Sequence, residues 1–247
     1  NKFAELKRKN CNTKILAITG SAGKTSLKNM LSFLLNKSGN TYASPRSFNN
    51  HYGVPLSLSN LSQNHQFGVF EIGMSKAGEI DKLSKLVKPD IAIITNIAEA
   101  HIENFSNIRG IAKAKGEIIR NVNKNGTLIL NRDDKFFNYL RKKAKLKKLK
   151  IVSFGTAADS DIRLIKIENY NQIKKAIVQV RNKIFRIIVG NTNINNVLAS
   201  LSVLYELNLD LNQMIVNFKN LQPSEGRGKI YEAKRYNKKF KLIDESY

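Results

Sequence analysis

The chain of 247 residues has one cysteine, Cys11, no tryptophan and few acids: 19 Asp and Glu stand against 42 Lys and Arg. A lone cysteine excludes an internal disulfide and fits a reducing compartment. No apolar run approaches the roughly 20 residues of a membrane span, and no signal peptide is visible. A soluble, cytoplasmic chain with no membrane span is therefore expected. No internal repeat and no low-complexity linker interrupt the sequence. The shortage of acids leaves a net charge of +23, which invites a nucleic-acid reading. The lysines are nevertheless scattered, with no interleaved aromatics and no recognition element, and the richness in Asn and Ile accompanies AT-rich coding in any protein. The dense run RKKAKLKKLK at 141–150 overlaps a predicted helix end, where basic residues suit the dipole. A solvated face is the first reading and steering of an anionic substrate the second; no nucleic-acid partner is expected.

What is present is an alternation. Short β-rich runs at ILAIT (15–19), FGVFEI (67–72), DIAIITNI (90–97), TLILN (127–131) and KIVSFG (150–155) are separated by helical patterns. The helices are predicted at about 25–36, 77–87, 107–122 and 134–146. This is the signature of a mostly parallel sheet flanked by helices, with ligands beyond the strand C-termini. From about 161 to 189 the pattern becomes strand after strand, with a fold-back at Arg181-Asn182, so a smaller antiparallel β element is expected there. Helices at about 193–206 and 210–219 and a last hairpin over 228–244 complete the reading. The fold class is α/β.

After the first strand comes ITGSAGKTSLKNM, 18–30. Gly20 and Gly23 permit a tight turn with inward N–H groups around Ser21 and Ala22, and the helix beginning near Lys24 offers its positive end to an anion. Lys24 would reach the β and γ phosphates, and the Thr25 hydroxyl, followed by Ser26, would sit on Mg²⁺. The longer P-loop pattern would need glycine at position 18, which is Ile18. A shorter G-x-x-G-K-T loop remains, against the alternative of an ordinary glycine turn with a solvated lysine.

Three further residues carry chemistry. Glu71 ends a predicted strand, where it is either a metal ligand or orienter of bound water, or else a helix-capping or surface carboxylate. His101, in NIAEAHIENF, follows another strand and could bind metal or touch phosphate, or be a loop histidine; His51 and His65 lie in loop-like surroundings. Lys115 is the anomaly. In NIRGIAKAKGEIIRNV it occupies the apolar stripe of Ile108, Ile111, Ala112, Ile118, Ile119 and Val122. Either it snorkels to solvent or it is aimed at an active site.

Taken in order, TGSAGKTS, SFNNHYGVPLSL, FEIGMSKAGEI, ITNIAEAHIENF, IAKAKGEI, GNTNINNVLAS, PSEGRGK and LIDESY resemble the Mur ligases over nearly the whole chain. They are most similar to the form that joins D-alanyl-D-alanine to UDP-N-acetylmuramoyl-tripeptide. The resemblance implies an ATP-dependent carboxylate–amine ligase of peptidoglycan precursor synthesis. In such enzymes a substrate carboxylate takes the γ-phosphate of ATP as an acyl phosphate, and an amine then displaces phosphate. It implies a central ATP-binding domain over 15–247, with 1–14 as a linker helix from a preceding substrate domain and a further domain beyond 247. The isolated chain is expected to be monomeric and inactive as a ligase.

By the same resemblance Gly20, Ser21, Ala22, Gly23, Lys24, Thr25 and Ser26 hold ATP, and Thr25 and Glu71 share one Mg²⁺. His101 and Lys115 match a second metal site in which the family's lysine is carbamylated. Asn193 and Asn196 match adenine contacts, Arg227 an arginine near the γ-phosphate and Glu245 a ribose-contacting acid. Lys24, Lys115, His101 and Arg227 form the implied catalytic set. Asn49 and Asn50 match a segment that approaches the UDP-sugar substrate. Thr192 departs from the histidine that often precedes the asparagine pair, and His51 from the acid common after Asn-Asn. The open alternatives are another Mur-type ligase adding a single amino acid, or folylpolyglutamate synthase. A basic nucleic-acid module and a noncatalytic scaffold lie further off.

Overall fold

β-Branched runs that alternate with amphipathic stretches favour strands covered by helices, and the chain folds that way. The computed structural model describes residues 2–100, 102–170, 173–190, 192–222, 229–236 and 238–244. In chain order the elements are α1 (Lys2–Lys9), β1 (Lys14–Thr19), α2 (Lys24–Leu35), β2 (Thr41–Ala43), α3 (Gly53–Ser59), β3 (Phe67–Glu71), α4 (Glu79–Val87) and β4 (Ile91–Ile94). There follow α5 (Ile108–Lys115), β5 (Thr127–Asn131), α6 (Phe137–Leu146), β6 (Lys150–Gly155), β7 (Ile162–Tyr170), β8 (Ile173–Val180) and β9 (Lys183–Ile188). The last are α7 (Ile194–Glu206), α8 (Leu211–Ile215), β10 (Lys229–Arg235) and β11 (Lys238–Asp244).

Among the described residues nine strands form one sheet in the order β2-β3-β1-β4-β5-β6-β7-β8-β9. The first six are parallel, with β1 held between β3 and β4 in a register that sets Ile18 beside Glu71 and Thr19 beside Ile94. The chain leaves β1 toward one edge of the sheet and β4 toward the other. Their shared C-terminal edge is thus the crevice where an open α/β sheet binds its ligand.

Period-two side chains on buried strands feed two cores. Leu16, Ile18, Ile91, Ile93 and Ile129 pack with α2 and α7 on one face. Ile15, Ala17, Ala92, Ile94, Leu128 and Leu130 pack with α4, α5 and α6 on the other. In α7 every residue from Asn196 to Leu204 is buried, and each such leucine or valine adds roughly 1.5–3 kcal/mol of transfer free energy. The segment before β1 is docked on this second core: Ala4 is buried in it, and Arg8 Nε donates to Val87 O at 2.8 Å, at the end of α4.

Some elements differ from the sequence expectation. The antiparallel element expected at about 161–189 is present as β7, β8 and β9, and what the sequence did not specify is its attachment: β7 joins β6 in parallel at Phe154↔Ile162, so the element continues the main sheet. Its fold-back falls at Arg181, in a left-handed conformation with φ 52°. The single helix expected over 107–122 is α5 followed by a 3-10 segment, Gly116–Asn121. The 134–146 helix starts at Phe137, since Asp134 holds a turn by accepting Phe136 N at 2.8 Å. The 210–219 stretch is α8 and a 3-10 turn at Phe218–Asn220. Two elements were not foreseen. β2 has only three residues, and α3, GVPLSLS, carries glycine and proline in its first turn, where proline is tolerated but the sequence looks like a loop.

Candidate nucleotide site

The glycine loop leaves β1 at Gly20, whose φ is +145° and where a Cβ would fall 1.9 Å from Thr95 Oγ1. Gly23, at φ 81°, is the N-cap of α2. Each glycine holds a backbone shape that other residues rarely adopt. Thr95 and Asn96, directly after β4, brace the loop. Thr95 Oγ1 donates to Ala22 O at 2.6 Å, Ser21 N to Asn96 O at 3.0 Å and Ala22 N to Asn96 Oδ1 at 2.9 Å. Ser21 Oγ donates to Ala98 O at 2.9 Å. From the opposite side Asn196 Nδ2 donates to Gly23 O at 3.2 Å. The result is a fixed turn at the N-terminus of a 12-residue helix, with Ser26 half-buried in its first turn, where N–H groups and dipole favour an anion.

Two lysines meet at this loop from positions 91 residues apart in the sequence. Lys24 Nζ donates to Gly20 O at 3.1 Å and Lys115 Nζ donates to the same oxygen at 2.9 Å. Lys115 ends α5 and is only 2% exposed, so it does not snorkel. Burial, with the Lys24 cation as the second cause, pushes its amine down from 10.5 to about 7. The turn that follows is anchored by Glu117, whose carboxylate oxygens accept Gly78 N at 2.8 Å and Asp81 N at 3.1 Å at the start of α4.

Glu71, 1% exposed at the end of β3, is neither a cap nor a surface group. Its Oε2 accepts the Thr25 hydroxyl at 2.8 Å and its Oε1 accepts Asn49 Nδ2 at 2.7 Å. Ser47 Oγ lies 3.4 Å from Thr25 Oγ1, and Glu71 N donates to Ser44 Oγ at 3.2 Å. A carboxylate and a hydroxyl are the hard oxygen donors that Mg²⁺ accepts alongside phosphates and water. The pair therefore fits that ion, although no cluster of three His, Cys, Asp or Glu that could hold a metal occurs among the described residues. Lys115 as an ammonium would repel a cation.

The other expected residues are placed as follows. Asn49 lies on Glu71, while Asn50 Oδ1 accepts Tyr52 N at 3.1 Å and Gly53 N at 2.9 Å, opening α3. Asn193 is the N-cap of α7, its side chain accepting Asn195 N at 2.9 Å, whereas Asn196 is buried against the loop. His51 is exposed, with its ring centroid 4.0 Å from that of Tyr52. His65 Nδ1 closes a turn by accepting Ser62 N at 3.0 Å. His101, Arg227 and Glu245 lie outside the described residues. Sequence reasoning missed Ser44, Ser47, Thr95 and Asn96; for the last two the available signal was a Thr-Asn pair closing a parallel strand.

The site opens into a cleft of about 740 Å³ whose lining includes Ser21, Lys24, Asn49, Glu79 and Lys115. At His51, Lys82 and Leu83 it meets a second groove of about 800 Å³, with Arg8, Lys9, Lys85 and Lys88 on its walls. Both grooves carry an excess of cations.

Fold and site define an α/β protein with a lysine-bearing glycine loop at the crevice of a parallel sheet, the shape and place of a phosphate-binding loop. The Mur ligase middle domain matches residues 18–204, and the chain belongs to the Mur ligase family. Over its full length it is 33% identical to the UDP-N-acetylmuramoyl-tripeptide–D-alanyl-D-alanine ligase of Buchnera aphidicola subsp. Baizongia pistaciae, of which it covers 53%. Among solved structures it resembles MurF from Acinetobacter baumannii with a TM-score of 0.89 and 30% identity, over 100% of this chain and 53% of that one. It is also similar to MurF ligase from Thermotoga maritima in complex with ADP, at a TM-score of 0.86 and 27% identity, over 100% of this chain and 57% of that one. The chain spans about half the length of the curated relatives it matches.

Proposed function

We propose that this chain is the ATP-binding module of a cytoplasmic ligase that adds D-alanyl-D-alanine to UDP-N-acetylmuramoyl-tripeptide. The observation that carries the reading is the meeting of Lys24 and Lys115 at the Gly20 carbonyl, beside the Thr25–Glu71 oxygen pair. The first 14 residues serve as the helix linking it to a preceding substrate domain, and a further domain after 247 supplies most of the amine site. A carboxylate oxygen of the tripeptide attacks the γ-phosphorus, the bond to the β-phosphate oxygen breaks, and ADP leaves. The amine of the dipeptide then attacks the acyl carbon, the bond to the phosphate oxygen breaks, and the amine proton passes to solvent.

This chain's residues supply position and charge. The loop holds the phosphates, with Lys24 balancing charge that develops on the transferring phosphoryl group. Thr25 and Glu71 would hold one Mg²⁺, which supplies Lewis-acid stabilisation of phosphate oxygens. Asn49 orients the Glu71 carboxylate. The cation-lined grooves steer a polyanionic substrate toward the cleft. Asn196 supports the loop from below, and Asn193, Arg227, His101 and Glu245 are proposed to complete the nucleotide and second-metal contacts. An amine of pKa about 7 is half neutral at neutral pH. Its nitrogen can therefore attack the carbon of CO₂ and lose one proton to solvent, giving an anionic carbamate of the oxygen-donor type that would suit a second Mg²⁺.

In the ligase that carries this module, amine-dependent phosphate release should be high with D-alanyl-D-alanine and low with single amino acids. The reverse preference selects the single-amino-acid-adding alternative. The 1–247 chain alone should bind Mg–ATP weakly and form no amide, and robust amide synthesis by it would refute the multidomain reading.

A further inference from the structure

One buried cation takes no part in that scheme. Lys28 lies one turn beyond Lys24 on α2 and is 1% exposed, among the largest side chains fully enclosed by the protein. Methionine or leucine would fill such a position in a helix without the desolvation that a charged head suffers. Folding alone does not require a lysine there. Its Nζ donates to the carbonyl of Arg46, a residue in the left-handed region at φ 44°. That carbonyl belongs to the short segment 44–50, SPRSFNN, which runs from β2 toward α3.

The same segment supplies the neighbours of the oxygen pair. Ser44 Oγ accepts Glu71 N, Ser47 Oγ approaches Thr25 Oγ1, and Asn49 Nδ2 donates to Glu71 Oε1. It is anchored at its far end by Gly73 N, which donates to Asn49 O at 2.8 Å. A Cβ at Gly73 would come within 2.8 Å of the Asn49 side chain, so the two strands of chain are in close contact. α2 thus grips the segment at two points, Thr25 near Ser47 and Lys28 at Arg46. Glu71 touches both partners, α2 through Thr25 and the segment through Asn49.

We propose that Lys28 is a positioning residue: by holding the Arg46 carbonyl it seats Ser47 and Asn49 on the Thr25–Glu71 pair and sets those oxygens for a divalent cation bound with nucleotide. The proposal rests on the reading of the cleft as a Mg–nucleotide site. It assigns Lys28 no contact with phosphate. Its loss should therefore weaken the metal-dependent part of nucleotide binding and spare the part due to the loop and Lys24.

The test uses the 1–247 chain and a fluorescent ATP analogue, titrated with EDTA and with excess Mg²⁺. The parent should gain affinity from Mg²⁺. In Lys28→Met the EDTA affinity should stay within about twofold of the parent, while the gain from Mg²⁺ falls about tenfold or more. Amide hydrogen exchange at Phe48 and Asn49 should quicken in the variant even without nucleotide. A parent that binds no nucleotide defeats the reading of the cleft, and the exchange experiment still judges Lys28: unchanged protection of Phe48 and Asn49 overturns the proposal. Equal losses with and without Mg²⁺, or an unchanged Mg²⁺ gain, also overturn it. Should Lys28→Met not fold, the Ser47→Ala/Asn49→Ala double variant removes the other end of the linkage. It should reproduce the Mg²⁺-specific loss, and parent-like Mg²⁺ dependence would show that the 44–50 segment does not set the metal oxygens.

Discussion

Replacing Lys115 by methionine should stabilise the chain at neutral pH, and the gain should disappear at high pH. Unfolded, the Lys115 amine keeps its proton up to about 10.5; folded, it keeps it only to about 7, chiefly because burial strips its water and secondarily because Lys24 shares the Gly20 carbonyl. Unfolding therefore takes up a proton between those two values, and stability rises with pH across that window. Integrating the linkage gives a penalty on the order of 4 kcal/mol at pH 7, about 2 kcal/mol at pH 9 and under about 1 kcal/mol at pH 10. Methionine fills much the same volume without charge. The lost hydrogen bond to Gly20 O and the added apolar contact shift the variant by a constant amount at every pH. The assay is urea unfolding of parent and Lys115→Met in CO₂-free buffer from pH 6.5 to 10, with the difference in stability plotted against pH. A difference that falls by about 3 kcal/mol from pH 7 to pH 10 supports a buried, proton-poor amine. A flat difference would refute it, since a lysine that reaches solvent keeps the same pKa in both states.

In the ligase that carries this module, with Mg²⁺ and ¹³C-bicarbonate, the parent should show a carbamate resonance that Lys115→Met lacks, and an identical spectrum for the two proteins would sink the carbamate proposal. Lys24→Ala should lower Mg–ATP affinity about tenfold or more and raise the Lys115 pKa by removing the neighbouring cation; unchanged binding in equilibrium titration contradicts the loop assignment. Gly20→Ala should cost roughly 2–4 kcal/mol, because it combines a strained φ with overlap on Thr95. Thr95→Ala should recover part of that loss in thermal unfolding, and a Gly20→Ala variant as stable as the parent speaks against the loop geometry. Glu117→Ala leaves Gly78 N and Asp81 N without their carboxylate and should cost roughly 1–3 kcal/mol in urea unfolding, against none if water replaces it fully.

Much of the architecture is legible in local pattern. ILAIT, DIAIITNI and TLILN are apolar on both faces, as strands covered by two helical layers must be, and Gly20 with Gly23 between strand and helix mark the phosphate turn. The sequence was mute where elements are short or atypical. The three residues of β2 carry no period, and the glycine and proline of α3 look like a loop although Val54 and Leu58 bury its face. Lys115 was visible as an anomaly because a cation interrupted an apolar stripe. Lys28 on α2 breaks the same rule, but the polar residues Lys24, Thr25, Ser26 and Asn29 around it blur the apolar stripe.

The sequence by itself determined that residues 15–155 alternate strand and helix and that a lysine-bearing glycine loop opens α2, because both depend on neighbours within a few positions. Only the tertiary structure decided that Lys24 and Lys115 share one carbonyl and that Asn49 rather than a more distant group orients Glu71. It also decided that Asn196 supports Gly23 while Asn193 caps a helix, and that the 161–189 strands extend the main sheet. The protonation of Lys115 belongs to this second group. An amine loses its affinity for a proton when surrounding atoms exclude water from it, and those atoms come from segments that only the completed fold brings together.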